Sequence, residues 1–173
     1  MKYYIANKFR KKPDEVEEIM SFIGIEKEIN QTEDEIKSKI NEEICRNKID
    51  IKEIIKKFVK YITIFLEDEM NNMIGFLIFD INYSKSYIEI HYLCSMEKYK
   101  GNGNKLLDKI KEYATKADIY KIILTPGLDK KIIKYYTENG FKEEGWNMIY
   151  TIIKGGKTIR KQKKRRTTQK NRI

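Results

Sequence analysis

Histidine, cysteine and proline are scarce: the 173 residues hold one His, two Cys and two Pro. A zinc site needs four ligands, typically in close pairs, and His91 with two scattered cysteines makes no such pattern. Cys45 and Cys94 are also too few for a disulfide framework, so free thiols in a reducing compartment are expected. No apolar run approaches the length that spans a bilayer. The first twelve residues, MKYYIANKFRKK, lack the apolar core and small-residue cleavage site of a secretory signal. A cytoplasmic protein with no membrane contact is expected. Acid is missing where base is densest. Residues 154–173 carry ten Lys or Arg and no Asp or Glu, which leaves 26 basic residues against all 26 acidic ones in 1–153. The body is formally neutral and the net charge of +10 lies in the tail. Charge therefore gives no support for a basic nucleic-acid face on the body.

What is present is a globular composition, 40% hydrophobic and 36% charged, in a length that suits one domain. Lys2 to Phe9 reads as a strand. Pro13 suits a helix start, and Asp14 to Phe22 follows as an amphipathic helix that Gly24 ends. Thr32 with Glu33, Asp34 and Glu35 resembles a capping box, ahead of Ile36, Ile40 and Ile44 at helical spacing. Asp50 is placed to cap a short helix, Ile51 to Phe58. From Tyr61 the period changes. Tyr61 to Leu66, Met73 to Ile81 and Tyr87 to Ser95 read as strands. A helix follows, then a short strand, Tyr120 to Leu124, stopped by Pro126-Gly127. Asp129 can cap a helix to Asn139 with Ile132, Ile133 and Tyr136 on one face. Phe141 to Glu144 and Asn147 to Ile153 close the sheet. Strand–helix–strand from Tyr87 to Leu124 requires a parallel pair with a right-handed crossover. The predicted class is α/β: a mixed, mostly antiparallel sheet with one parallel βαβ unit and helices on both faces.

The chain is organised around Tyr87 to Ala114. A strand runs into Lys98-Tyr99-Lys100-Gly101-Asn102-Gly103, and Leu106, Leu107, Ile110, Tyr113 and Ala114 then mark a helix. A helix that opens on a glycine turn aims unpaired N–H groups and the positive end of its dipole at whatever lies ahead of it. Gly101 and Gly103 let a ligand approach the backbone. An anion, most simply a phosphate or pyrophosphate, fits there. The pattern is neither a Walker loop, which needs Lys-Ser or Lys-Thr at the helix start, nor a dinucleotide fingerprint, which would need glycine where Leu106 stands. An ordinary turn is the competing reading.

Lys98-x-x-Gly101-x-Gly103, followed by Leu106 and Leu107, resembles motif A of the GNAT superfamily of N-acetyltransferases. Lys98 stands where that family usually has Arg or Gln, which keeps a cation and loses the planar fork. Downstream, Tyr136-Thr137-Glu138-Asn139-Gly140-Phe141 is similar to the family's Tyr-x-x-x-Gly-Phe element. The resemblance covers roughly Lys60 to Lys154. It implies a GNAT-like domain over 1–153 that moves an acetyl group from acetyl-CoA to a primary amine without a metal. It further implies a pyrophosphate cradle from the amides of Lys100, Gly101, Asn102, Gly103 and Asn104, with Lys98 beside it. The strand edge at Leu93 to Ser95 would bond the pantetheine arm and polarise the thioester carbonyl.

In the family's scheme Tyr136 would protonate the leaving thiolate. Its place beside Ile132 and Ile133 equally suits a core residue. Alternation puts Glu89, His91 and Leu93 on one strand face, and Glu89 is the candidate base, acting through a water. A solvated or ion-paired Glu89 is the alternative. Asp129 stands where many relatives carry an Asn that contacts the cofactor, and Cys94 reads as core. The acceptor carries no motif.

Residues 154–173 form a second region. From Lys157 to Arg172 only Ile159 is strongly apolar, so the segment is expected to be disordered. It reads as a solvated terminus, an import signal around Lys161 to Arg166 that would make the protein nuclear, or a nucleic-acid arm. The alternatives to an active acetyltransferase are a GNAT-fold module that holds CoA without turnover and a nucleic-acid-associated protein with a basic tail.

Overall fold

A computed structural model describes residues 1–6, 13–25, 50–96 and 101–153. The capping box at Thr32 with its helix, Cys45, Lys98, Lys100 and the basic tail lie outside these residues. Seven strands form one sheet: β1 (Lys2–Ala6), β2 (Ile62–Glu67), β3 (Met73–Asn82), β4 (Tyr87–Ser95), β5 (Lys121–Leu124), β6 (Lys142–Glu144) and β7 (Asn147–Thr151), in the order β1-β2-β3-β4-β5-β7-β6. Every pairing is antiparallel except β4 with β5. The described helices are α1 (Pro13–Ile23), α2 (Ile51–Lys60), α3 (Asn102–Lys116) and α4 (Lys130–Glu138). The mixed α/β sheet with a single parallel unit is as the sequence predicts. None of the described helices is long and apolar enough to cross a membrane.

Local chemistry sets these boundaries. Asp50 accepts from the amide of Lys52 at 2.9 Å and Asp129 from that of Lys131 at 2.8 Å, so each caps its helix. The central strands β2 and β3 are almost wholly buried apolar runs, because helices cover both faces. On one face Phe58 of α2 packs on Phe65 and Phe76, with ring centroids 5.3 and 5.1 Å apart. On the other, α3 sinks Leu106, Leu107, Ile110, Tyr113 and Ala114 into the core. Lys109 and Lys116 of α3 donate to the carbonyls of Ile23 and Phe22 at the end of α1. Two cations thus meet the negative end of that helix dipole and dock α1 on α3.

Three expectations need correction. The face shared by Ile132, Ile133 and Tyr136 is not uniformly inward: Tyr136 is buried, Ile133 half-buried and Ile132 exposed. The α4 helix meets the sheet at β6, its edge strand, and only Tyr136 of the three is sunk into the core. Cys94 is not a free thiol. It is disulfide-bonded, and no described cysteine is free; sequence separation says nothing about which sulfurs meet in space. The third correction concerns β4. Ile90 pairs with Phe79 but Tyr92 pairs with Ile78, so His91 is an extra residue, a β-bulge. The bulge reverses the alternation. Glu89, opposite Asp80, shares the α2 face with Tyr92 and Cys94, whereas Leu93 and Ser95 join Ile88 and Ile90 on the α3 face. Glu89 and Leu93 therefore do not share a face.

Candidate active site

Strands β4 and β5 are paired only from Tyr87 to Ile90 against Lys121 to Leu124. There β5 stops, and β4 runs on to Ser95. Beyond Ile90 the edge of β4 that faces away from β3 has no described strand against it. A bulge increases local twist, and His91 sits at the point where the two strands part. The open edge at Leu93 to Ser95 leaves backbone N–H and C=O groups available to an extended ligand.

The N-terminus of α3 lies beside this opening. Gly101 is its N-cap, at φ +88°, and makes no side-chain capping bond. The first intrahelical bond runs from the Lys105 amide to the Gly101 carbonyl, at 3.1 Å. The amides of Asn102, Gly103 and Asn104 precede it and so have no intrahelical acceptor. Asn102 is 1% exposed, and its Nδ2 is buried without a partner. Asn104 is exposed and its Oδ1 accepts from Asn139 Nδ2 at 3.2 Å. The structure thus brings Ser95, Gly101, Asn102, Gly103 and Asn104 together, with Leu93 along the adjoining strand edge.

The α4 helix completes the wall. Asn139 ends it and Gly140 follows at φ +85°, with the Tyr150 ring 3.2 Å from where a Cβ would stand. Glycine is needed there for both conformation and space. Phe141, 1% exposed, then packs edge-on against Tyr136 at 5.5 Å. This explains the Tyr-x-x-x-Gly-Phe pattern: the glycine turns the chain so that the phenylalanine returns under the tyrosine. Lys111 of α3 donates to the Asn139 carbonyl at 2.9 Å and lies over the Tyr150 ring at 4.8 Å. Burial lowers its pKa.

Of the two sequence-predicted catalytic residues, Tyr136 is 7% exposed among aromatic rings, and burial first, then Tyr135, raises its phenol. Glu89 is exposed, on the face of β4 away from α3. His91 stacks on Tyr61 with centroids 4.0 Å apart and has a buried, unpartnered Nε2. Burial, then Lys57 and Lys60, pull its pKa down to about 4, so it is neutral near pH 7. Asp129, as a helix cap, already has work for its carboxylate.

Sequence reasoning missed Tyr135. Its hydroxyl lies 2.6 Å from the position of a Cβ on Gly103, with Ser95 Oγ 3.5 Å from that same point. The hydroxyl is buried and has no partner. The only sequence signal was its adjacency to Tyr136.

The fold has counterparts among solved structures. The Tetrahymena GCN5 crystal structure superposes with a TM-score of 0.58 at 14% identity, covering 88% of this chain and 97% of that one. Aminoglycoside 6'-acetyltransferase type Ii gives 0.50 at 21% identity, covering 61% and 78%. A streptothricin acetyltransferase from Bacillus anthracis, solved with acetyl coenzyme A, gives 0.48 at 21% identity; the match covers 54% of this chain and 63% of that one. No curated protein sequence matches the chain. The model of the acetyltransferase (GNAT) family matches residues 27–141, a span holding the parted strands, the glycine turn and the Gly140-Phe141 corner, and the chain belongs to that family.

Proposed function

We propose that the protein transfers an acetyl group from acetyl-CoA to a primary amine. The observation that carries this reading is the parting of β4 from β5 beside an uncapped helix N-terminus. An open strand edge suits the amides of a pantetheine arm, and the free amides of α3 suit a pyrophosphate. The donor set fits: amides of Asn102, Gly103 and Asn104, a buried unpartnered Asn102 Nδ2, and no described carboxylate in the first turn of α3 to repel phosphate.

Acetyl-CoA, when bound, supplies the acetyl group as a thioester. The nitrogen of the acceptor forms a bond to the carbonyl carbon, the carbon–sulfur bond breaks, and the sulfur leaves with its electron pair. Two protons must move. Glu89 takes one from the acceptor nitrogen through a water. Tyr136 gives one to the departing sulfur, and its raised phenol pKa keeps it protonated until then. Amides at Leu93 to Ser95 polarise the carbonyl. Lys98 and Lys100, outside the described residues, are the cations that the sequence offers to the phosphates.

The test is release of free CoA from acetyl-CoA across a panel of amines, with a parallel melting curve in CoA. Turnover that depends on an amine supports the reading. A CoA-dependent melting shift with no turnover on any amine would assign the chain to CoA binding without catalysis. Indifference to millimolar CoA would overturn the cofactor site itself.

A further inference from the structure

Tyr135 is a buried polar group without an assigned task. Its ring lies edge-on to Tyr136 at 5.2 Å, and its hydroxyl is directed at the first turn of α3 rather than into the aromatic cluster. An ideal Cβ on Gly103 would stand 2.6 Å from that hydroxyl, well inside van der Waals contact. Gly103 therefore leaves room for a phenol, as well as for a ligand approaching the helix. A buried hydroxyl that bonds nothing is costly, and such groups in a native fold call for a missing partner. Two donors in this wall lack one: Tyr135 Oη and Asn102 Nδ2. Asn102 opens α3, and the Tyr135 hydroxyl and Ser95 Oγ from the open edge of β4 both lie near Gly103 of the same turn. The orphaned Tyr135 hydroxyl thus sits where the strand edge meets the helix start.

We propose that Tyr135 is a second working tyrosine of the site, whose hydroxyl donates a hydrogen bond to the phosphate–pantetheine chain of the cofactor where it passes from the α3 cradle to the β4 edge. The proposal rests on the acetyl-CoA reading above and adds a residue that the family pattern does not single out. Burial, then the charge of Asp108, push the Tyr135 phenol up to about 12, so it remains a donor at any working pH. The two adjacent tyrosines divide the work. Tyr135 holds the cofactor and Tyr136 delivers a proton.

The test compares wild type, Tyr135→Phe and Tyr136→Phe by calorimetric titration with CoA and with 4'-phosphopantetheine, plus steady-state kinetics. Tyr135→Phe should weaken both ligands about ten- to a hundredfold, the worth of one hydrogen bond to a charged group. It should raise KM for acetyl-CoA with a smaller effect on kcat. Its melting temperature without ligand should be equal or higher, because the orphaned hydroxyl is gone; a merely structural tyrosine would show the reverse. Tyr136→Phe should show the opposite split, with binding kept and kcat lost. If Tyr135→Phe proves unstable, Tyr135→Leu also removes the hydroxyl and should give the same loss of affinity. Equal affinity of wild type and Tyr135→Phe overturns this proposal and leaves the acetyltransferase reading standing. Failure of the wild type to bind CoA overturns the reading on which it rests.

Discussion

Gly103 shows how much a single missing Cβ can decide. A side chain there would meet the Tyr135 hydroxyl at 2.6 Å, but the ring carbon behind it only at 3.4 Å, an ordinary contact. The two residues should therefore be coupled. Gly103→Ala alone should destabilise the fold by about 1–3 kcal/mol through overpacking. In a Tyr135→Phe background the same change should be neutral, or stabilise by about 0.4–1 kcal/mol, since alanine restricts the unfolded chain more than glycine. Denaturant midpoints of the four proteins give the coupling energy, and additive effects would mean that the hydroxyl does not occupy that space. Tyr136 invites a different measurement. Removing a general acid lowers turnover about 10²- to 10⁴-fold, so Tyr136→Phe should do so while leaving the CoA melting shift intact. Unchanged turnover would make Tyr136 a core aromatic, as its 7% exposure and its contact with Phe141 also allow.

Among the elements, β4 departs most from its sequence pattern. Strict alternation through Glu89, His91 and Leu93 fails because His91 is extruded between the residues paired with Phe79 and Ile78. A bulge is set by how three strands register, and one strand read alone carries no such signal. The helix ends were legible for the opposite reason. Asp50 and Asp129 cap the helices that follow them, and the Gly140-Phe141 corner needs only its own residues to be recognised. Tyr135 escaped because a helical wheel ranks Tyr136 as the inward residue, and only the packing of α4 against α3 brings the Tyr135 hydroxyl to Gly103. The bulge also has a pH signature. His91 titrates at about 4 in the fold against 6.5 in the open chain, under burial and the cations Lys57 and Lys60 of α2. The unfolded state binds more protons between those values, so the contribution is full above pH 6.5 and is lost as pH falls toward 4. Chemical denaturation across that window should show stability rising with pH. In His91→Phe, which keeps a ring on Tyr61, the slope should flatten, and an unchanged slope would assign the effect to carboxylates elsewhere.

At the scale of the whole molecule, the net charge is concentrated at one end of the sequence. The first 153 residues hold equal numbers of acidic and basic groups, and the excess of +10 falls in residues 154–173. On the proposed reading, the site would attract phosphate through backbone amides and buried donors, which act at contact distance. The tail carries its excess charge in a composition that cannot build a core. If it is a nucleic-acid arm, it binds by releasing counterions, with log affinity falling against log salt by about 0.9 per phosphate neutralised on duplex DNA. Removal of residues 155–173 should then abolish DNA binding and leave the CoA melting shift untouched, about 2.7 kcal/mol at a hundred times the dissociation constant. Filter or anisotropy titrations of both chains at several salt concentrations decide the matter. No binding by the full chain at low salt would make the tail a solvated terminus or an import signal. Binding by the shortened chain with the same salt slope would place the basic surface on the acetyltransferase domain, against the neutrality of its sequence.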